Sequence, residues 1–263
     1  MHIVVCIKQV PDTKNVRIDP DTHTLVRQGV ESIINPFDMF AVEGALKIKD
    51  ENGARVTVLT MGPPQAAEAL RDTLGLGADD AVLLSDRAFA GSDTWATSTT
   101  LAAAVRKMGD VDLVICGKQA VDGDTAQVGP EMAALLDVPF ATFVKKIDVA
   151  RSGSITVHRQ TDEGTEVWKV QLPALVTVIK ELGEPRVPSL RHKMRAKKAE
   201  IAVWGNSELG LDPNSTGLCG SFTQVVRVFS PQRRGSRVQL EGSIENQVEQ
   251  LFQYLKKARV PGL

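Results

Sequence analysis

Short apolar segments alternate with amphipathic helical patterns through the first half of the chain, and this alternation constrains the fold more than any other feature. Four segments rich in β-branched residues lie at 3–7, 55–60, 81–84 and 112–116. Apolar residues at helical spacing follow them, over 36–50, 64–76, 93–108 and 124–137. The pattern predicts an α/β protein whose doubly wound, mostly parallel sheet is covered by helices.

The hydrophobic pattern of the sequence changes after Pro139. Apolar and polar residues alternate there, with Gly153 and Gly164 at turn positions, which is typical of strands with one solvated face. We expect antiparallel additions to the sheet at 142–149, 154–159, 166–170 and 174–179.

The last third of the chain carries little periodicity. A segment over 205–221 is rich in Gly, Pro, Asn and Ser, and helical spacing returns only at 243–257. A long irregular arm is hard to stabilise alone, so we expect another chain to receive it; packing onto this chain's own sheet is the alternative. The predicted organisation is an α/β domain over 1–190, a partner-docking loop over 191–200, and an extended arm with a terminal helix over 201–263.

Composition excludes several classes of protein. Among 263 residues, 31 basic and 32 acidic side chains nearly cancel, so nucleic acid is not an expected partner. Three cysteines without disulfide or zinc spacing suit a reducing compartment. The sequence shows no secretory signal pattern and no segment apolar enough to cross a bilayer. These features predict a cytoplasmic protein without a membrane span.

Two predicted strand ends resemble each other. Cys6 and Cys116 each stand two residues before a Lys-Gln pair. Open α/β sheets bind ligands at the carboxyl ends of their strands, so the residues that follow the strands are the first candidates for ligand binding. The thiols are interpreted either as small core side chains, the simpler alternative, or as direct cofactor contacts.

The segment 121–130 separates the fourth strand from the next predicted helix. Gly123 and Gly129 permit close approach, and the N–H groups of residues 124–126 would be unpaired at the helix start and suited to phosphate oxygens. Capping of the helix by the aspartates of this segment is the simpler alternative. No GxGxxG or GxxxxGKT motif occurs, which disfavours the ordinary dinucleotide-binding and P-loop folds.

Two more helix starts are polar. Asn35 and Asp38 flank the first turn of one helix, and Asp93 precedes a second, hydroxyl-rich start. Ordinary capping explains each of them alone, but three polar helix starts at one sheet edge favour a pocket. No catalytic triad, metal cluster or carboxylate pair can be assembled from the sequence, so any chemistry would belong to a bound cofactor.

A basic stretch lies at 190–198, where five Lys or Arg residues surround Leu190 and Met194. A solvated loop is the simpler interpretation. The functional alternative is a surface that docks an acidic protein, with the two apolar side chains as anchors inside a charged rim.

Motifs spread along the whole chain point to one family. They are VCIKQV at 5–10, NPF at 35–37, AVE at 41–43, MGP at 61–63, GKQA at 117–120 running into 122–129, LPALVT at 172–177 and EP at 184–185. In these motifs the chain resembles the beta subunits of electron transfer flavoproteins. The resemblance implies a fold of the adenine nucleotide alpha hydrolase type, a bound adenine nucleotide, and an alpha subunit that carries the electron-transferring FAD. It also implies a basic loop that docks on acyl-CoA dehydrogenases.

The resemblance and the local patterns together assign two sets of residues. Those expected at the nucleotide are Cys6, Asn35, Phe37, Asp38, Met61, Asp93, Thr94, Gly117, Val121, Asp122, Gly123, Asp124, Thr125, Ala126, Gln127, Val128 and Gly129. Those expected on the docking surface are Leu190, Arg191, Lys193, Met194 and Arg195.

The family has two branches that differ in the nucleotide of the beta subunit. Ordinary members hold a structural AMP and usually have a bulkier residue in place of Gly123, whereas electron-bifurcating members hold a second FAD. Gly123 and Thr125, together with segments 87–97 and 217–221, resemble the bifurcating branch, so FAD is expected.

In the bifurcating branch NADH is the electron donor. One electron would pass to ferredoxin or flavodoxin and the other, through the alpha subunit, to an acyl-CoA dehydrogenase or enoyl-CoA reductase. The helix start at Asp93 and Thr94 would favour a reduced, anionic ring. Two alternatives remain: an AMP-holding beta subunit that relays electrons from acyl-CoA dehydrogenases, and a stand-alone adenine-nucleotide sensor.

Overall fold

The computed structural model describes residues 1–12, 17–18, 25–26, 32–150, 153–226 and 238–259, and at 17–18, 25–26 and 150 the backbone alone. The chain divides into two compact units, Met1–Val226 and Arg227–Leu263.

Thirteen strands and seven α-helices lie in the described residues. The strands are β1 (His2–Cys6), β2 (Gln9–Pro11), β3 (Arg17–Ile18), β4 (Leu25–Val26), β5 (Ser32–Ile34), β6 (Arg55–Met61), β7 (Asp80–Leu84), β8 (Leu113–Gly117), β9 (Phe140–Ala150), β10 (Ser154–Thr161), β11 (Gly164–Gln171), β12 (Ala174–Val178) and β13 (Ala202–Trp204). The helices are α1 (Pro36–Asn52), α2 (Ala67–Leu76), α3 (Thr94–Met108), α4 (Val128–Leu136), α5 (Leu190–Lys198), α6 (Asn206–Leu209) and α7 (Ile244–Lys257).

A nine-stranded sheet in the order β11-β10-β9-β12-β8-β1-β6-β7-β13 organises the first unit. The chain runs outward from β1 through β6 to β7, and then returns to place β8 on the other side of β1. Both neighbours of β1 are parallel to it. The strand order therefore reverses between β1 and β8, and open α/β sheets bind ligands at the carboxyl ends of such a pair of strands.

Helices cover both faces of the sheet, as the sequence pattern predicted. Leu46 of α1, Leu70 of α2 and Ala196 of α5 belong to one buried apolar cluster, whereas Leu101 of α3 and Met132 of α4 belong to the other. The doubly wound, mostly parallel sheet with antiparallel additions is thus confirmed.

One of the four predicted antiparallel additions is wrong. β9, β10 and β11 do form an antiparallel extension, but β12 pairs parallel with both β8 and β9. All five residues of β12 are buried. Parallel strands buried on both faces are apolar throughout, and the run over 174–178 has this character rather than a true alternation.

The predicted arm over 201–263 does not begin where the sequence pattern placed it. β13 extends the central sheet by pairing parallel with β7, and Trp204 packs into the core beneath it. Residues up to Val226 belong to the first unit. For this part of the arm, the alternative of packing onto the chain's own sheet is correct, because β7 otherwise presents an open edge to which a strand can add.

The basic stretch is also a helix rather than a loop. Ser189 caps α5 by accepting a hydrogen bond from the backbone N–H of His192 at 3.2 Å. Ala196 is buried on the inner face of α5, and the charged side chains lie on its outer side. A serine cap and one buried small residue suffice for a short amphipathic helix.

The second unit contains the predicted terminal helix, α7, capped by Ser243. Its apolar residues are largely solvent-exposed, as the exposed fractions of Ile244 (77%), Val248 (61%) and Phe252 (42%) show. Phe229, also expected at a partner interface, lies outside the described residues. In the described part of the chain, no helix is both long enough and apolar enough to span a membrane.

Candidate functional site

The floor of the candidate site is formed where β1 and β8 end. Cys6 and Cys116 are register partners in this strand pair, and both are buried. A hydrogen bond to Cys6, together with burial, raises the pKa of the Cys116 thiol well above its ordinary value. Cys116 therefore stays neutral, and the two buried cysteines form a floor of small side chains, as expected of core residues.

The loop that follows β8 differs from its predicted form. We call residues 118–127 the site loop. The helix was expected to start at Asp124, but α4 begins at Val128, and the N–H of Asp124 is already used by the carbonyl of Ala120 at 2.8 Å. The helix-start N–H groups without intrahelical carbonyl partners are those of Val128 and Gly129, so a phosphate cradle at this helix start would use them.

Left-handed backbone in the site loop explains the late start of α4. Asp124 has φ of 54° and Ala126 has φ of 55°. For an alanine this conformation costs on the order of 1–2 kcal/mol, so the surrounding contacts must hold it. Residues 121–125 and 127 are exposed, so most of the loop is open to a ligand.

The two aspartates of the site loop do not cap α4, so the simpler alternative for them is wrong. Both carboxylate oxygens of Asp122 accept from the Lys8 ammonium, at 2.7 and 2.8 Å, and Gln119 donates to the carboxylate of Asp124. The Lys8–Asp122 pair crosses the switch point and joins the segment after β1 to the site loop. Because both side chains are partly exposed, this ion pair adds at most about 1 kcal/mol of stability.

The start of α1 is connected to the same loop. Asn35 occupies the N-cap position, as predicted, but its side chain does not cap the helix. The amide donates to the carbonyl of Gln119 at 2.8 Å and accepts from the N–H of Val121 at 3.1 Å. The first and fourth strands of the sequence pattern are therefore neighbours, and the two predicted clusters meet.

Asp38 lies beneath that contact. Its carboxylate accepts from the backbone N–H of Lys8 at 2.7 Å and from the N–H of Gly117. Burial raises the pKa of Asp38 to about 7, although hydrogen bonds from Asn35, Lys8 and Gly117 lower it. Asn35 and Asp38 are thus satisfied by the protein itself, and neither is placed as a free ligand-binding group.

The three glycines expected at the site have different roles. A Cβ at Gly117 would collide with Asp38 and the backbone of Phe37, and a Cβ at Gly129 would collide with Thr177. The fold therefore requires both of these glycines for close packing. Gly123 has no such constraint: a Cβ there would meet nothing within 4 Å, and its φ lies outside the left-handed region.

Lys118 lies between two aromatic rings. Its ammonium is 5.3 Å from the ring centroid of Phe37 and 5.5 Å from that of Phe143. Phe143 has φ of 56° at an irregularity between β9 and β12, where a bulky side chain rarely adopts that conformation. Sequence reasoning missed Phe143, because an aromatic residue inside an alternating strand carries no signal of this bulge.

The start of α3 adjoins the start of α4. Thr94 donates to the carboxylate of Glu131 at 3.1 Å, and Ser98 donates to the same carboxylate at 2.9 Å. Glu131, which sequence reasoning did not single out, therefore joins the two helices. Met61 ends β6 at the same edge of the sheet and packs against the core cluster beneath α3 and α4.

Residues 221–223 cover the start of α3. The N–H of Asp93 donates to the hydroxyl of Ser221 at 2.8 Å, and the carboxylate of Asp93 accepts from Ala96 and from Thr223. Although burial raises it, these hydrogen bonds lower the pKa of Asp93 below its ordinary value. The N–H groups of Asp93 and Ala96 are already paired, so an anionic ring could not use those two.

The expected docking surface is a helix face. The exposed fraction is 76% for Leu190 and 58% for Met194, and Arg191 and Lys193 are exposed as well. Arg195 differs, because its guanidinium donates to the carbonyl of Ala78 and ties α5 to its own chain.

A buried ion pair anchors the segment that leads into α5. Arg186 binds the buried carboxylate of Glu43 in α1, with Nε to oxygen at 2.9 Å, and also contacts Asp50 at 2.9 Å. Hydrogen bonding to Glu43 raises the pKa of Arg186. Two motifs of the resemblance, AVE at 41–43 and EP at 184–185, are thus brought together in space.

Comparisons with known proteins give consistent results. A family model described as "Electron transfer flavoprotein domain" matches residues 22–209. The chain is 53% identical over 249 residues to the caffeyl-CoA reductase-Etf complex subunit CarD of Acetobacterium woodii, covering 94% of this chain and 95% of that protein. It is 46% identical over 261 residues to the electron transfer flavoprotein subunit beta of Thermoanaerobacterium thermosaccharolyticum, covering 99% and 100%. It is 50% identical over 244 residues to protein FixA of Azorhizobium caulinodans, covering 90% and 87%.

Proposed function

Because the chain belongs to the electron transfer flavoprotein family, with relatives named as its beta subunit, CarD and FixA, we propose that it binds FAD at the site loop and transfers electrons together with an alpha subunit. The observation that carries this proposal is the meeting of the site loop with the starts of α1 and α4 at the switch point of the sheet.

The residues at this edge fit an adenine nucleotide. The small side chains of Cys6 and Cys116 are buried beneath it and leave room for a flat ring. The N–H groups of Val128 and Gly129 belong to the first turn of α4, and an anion would bind at this helix N-terminus. The exposed hydroxyl of Thr125 and amide of Gln127 can orient a ribose or phosphate.

Gly123 favours FAD over AMP. Gly117 and Gly129 are explained by packing within the chain, but neither sterics nor backbone conformation accounts for glycine at position 123. A ligand or partner that passes close to the loop at that position would account for it. FAD extends beyond the part it shares with AMP by a second phosphate, a ribityl chain and a ring system, and it fits this requirement better.

The remaining steps follow from the family. When bound, the flavin would accept a hydride and release single electrons. The protein would hold the flavin in position and determine its polar surroundings. We propose NADH as donor, ferredoxin or flavodoxin as the low-potential acceptor, and an acyl-CoA dehydrogenase or enoyl-CoA reductase as the other acceptor. Support comes from the similarity to CarD, whose name places it in a caffeyl-CoA reductase-Etf complex, and from the exposed apolar and basic face of α5.

Counting cofactors tests the proposal. The chain is purified with its alpha subunit, denatured, and its nucleotides are separated and quantified. Two FAD per heterodimer are expected, and ferredoxin reduction should require both NADH and an acyl-CoA acceptor. One FAD plus one AMP would instead establish the non-bifurcating alternative. A stable chain that binds adenine nucleotide but forms no heterodimer would favour the sensor alternative.

A further inference from the structure

Two polar side chains at the start of α1 are buried at the carboxyl edge of the sheet. The exposed fraction is 0% for Asn35 and 6% for Asp38. Most of their hydrogen-bond partners are backbone groups of the strand ends and the site loop. The two side chains therefore shape this edge of the sheet by holding the backbone around it.

Asn35 fixes the direction of the site loop. Its amide donates a hydrogen bond to the carbonyl of Gln119 and accepts one from the N–H of Val121, two residues further along the loop. An asparagine side chain is both donor and acceptor, so one residue can hold both peptide groups. The left-handed residues Asp124 and Ala126 follow directly, and strained backbone of this kind persists only when the surrounding structure fixes it.

Asp38 fixes the two strand ends beneath the loop. Its carboxylate accepts from the N–H of Lys8, after β1, and from the N–H of Gly117, the last residue of β8. Gly117 lies so close to Asp38 that any Cβ would collide with the carboxylate. One side chain therefore joins both strands of the switch point to the first turn of α1.

We propose that Asn35 and Asp38 are positioning residues, which hold the site loop in its ligand-binding conformation before the nucleotide arrives. This inference rests on the proposed function, because it assumes an adenine nucleotide at the site loop. Preorganisation of this kind increases affinity by removing the cost of ordering the loop on binding.

A purely structural role would be served better by a neutral side chain. Burial of the carboxyl disfavours its charged form, as the pKa of about 7 shows. The groups that face it are the Lys8 ammonium, which is itself paired with Asp122, the Cys116 thiol and the neutral amide of Asn35. The ionised carboxylate is the stronger acceptor for the N–H groups of Lys8 and Gly117. Its charge therefore holds the ends of β1 and β8 in place, although burial of the charge lowers the stability of the fold.

The first test compares two asparagines of α1 and its cap. Full-length heterodimers carrying Asn35→Leu or Asn52→Leu are freed of the nucleotide at the site loop while the alpha subunit keeps its FAD, and equilibrium dialysis measures the binding of one further FAD or AMP per heterodimer. Asn52 bonds only within its own helix, at the opposite end, and serves as the matched control. We expect Asn35→Leu to weaken binding about tenfold or more, and Asn52→Leu to leave it unchanged.

The second test is a pH profile. Wild-type affinity for FAD is expected to fall by roughly threefold or more as pH drops from 8 to 6, because protonation weakens Asp38 as an acceptor. Asp38→Asn cannot titrate and should give a flat profile over the same range. A residue that merely fills space would not create a difference between the two profiles.

The outcomes separate this inference from the proposed function. If the wild-type heterodimer binds no FAD or AMP beyond the FAD of its alpha subunit, the proposed function is wrong. If it binds, but Asn35→Leu binds equally well or the two pH profiles coincide, only the positioning role is overturned. Should Asn35→Leu fail to fold by circular dichroism, the isosteric Asn35→Asp, which keeps the acceptor for Val121 and loses the donor to Gln119, takes its place.

Discussion

At the scale of single residues, Asp38 makes the stability of this protein depend on pH. Its pKa is about 7 in the folded chain against an ordinary value of 3.8, so the folded state binds the proton more tightly than the unfolded state. The stability that this residue contributes is therefore fully present below the ordinary pKa and is lost as pH rises through 7.

We predict that Asp38→Asn changes this dependence. Between pH 5 and pH 8 the wild-type free energy of unfolding should fall by about 2–3 kcal/mol relative to the variant, since a tenfold change in proton affinity corresponds to about 1.4 kcal/mol. Urea denaturation at the two pH values measures the difference. Asp162→Asn, at an exposed turn between β10 and β11, is the control and should behave as the wild type does. Equal pH slopes for all three proteins would contradict the assignment.

Gly123 supports a second prediction at this scale. Gly123→Val should change the free energy of unfolding by no more than about 0.5 kcal/mol, because position 123 is exposed and an added Cβ meets no atom within 4 Å. The same variant should lose the FAD bound by this chain, if the ligand occupies that space, so that the flavin content falls from about two to about one per heterodimer. Flavin content per heterodimer and a urea denaturation curve measure both effects.

Gly129→Ala is the matched contrast. Its Cβ would collide with Thr177, so it should lower stability by about 1–3 kcal/mol. A Gly123→Val protein that retains full flavin would show that the ring lies elsewhere.

At the scale of elements, α5 depends on an ion pair distant from it in sequence. Arg186 holds the segment that leads into α5 against α1 through Glu43, which is only 5% exposed. Removing the guanidinium leaves a buried carboxylate without its counter-charge, and this is more costly than losing an exposed pair.

We predict that Arg186→Met lowers the free energy of unfolding by about 2–3 kcal/mol, and that adding Glu43→Gln restores part of the loss by removing the buried charge. Arg55→Met, which breaks the exposed pair with Asp80, should cost less than about 1 kcal/mol. Chemical denaturation of the wild type, Arg186→Met, Arg186→Met with Glu43→Gln, and Arg55→Met measures these differences. If Arg186→Met and Arg55→Met cost the same, the pair with Glu43 does not anchor α5.

At the scale of the whole molecule, the boundary of the first unit defines which residues are available to a partner. β13 completes the sheet, and Ser221 and Thr223 bind Asp93, so these residues belong to the fold of the first unit. In the second unit, the apolar residues of α7 are exposed and form a surface to which another chain could bind.

We therefore predict different results for two truncations. A chain ending at Val226 should keep a cooperative unfolding transition near that of the full chain but lose most of its affinity for the alpha subunit. A chain ending at Ile201 should unfold at clearly lower temperature, because it lacks β13 and the cover over α3. Calorimetry and size-exclusion chromatography with the alpha subunit measure the two properties. A heterodimer formed at full strength by the Val226 truncation would exclude α7 as the contact.

The sequence by itself determined the class of fold and the order of most elements. Apolar period and β-branched runs marked β1, β6, β7 and β8, and helix caps at Asn35, Asp93 and Ser243 marked three helix starts. These features are local, since side-chain period and capping depend on residues within a few positions of each other. Motifs along the chain were sufficient for the family as well.

Tertiary structure decided which groups face one another. The late start of α4, the parallel pairing of β12, the addition of β13 and the helical form of α5 all depend on partners distant in sequence. The two hydrogen bonds of Asn35 span 84 and 86 residues, and no local pattern encodes them. The hydrophobic period fixes which face of an element is apolar, but only packing fixes which distant backbone groups must be satisfied. That requirement places Asn35 and Asp38 in hydrogen bonds to the site loop and the two strand ends.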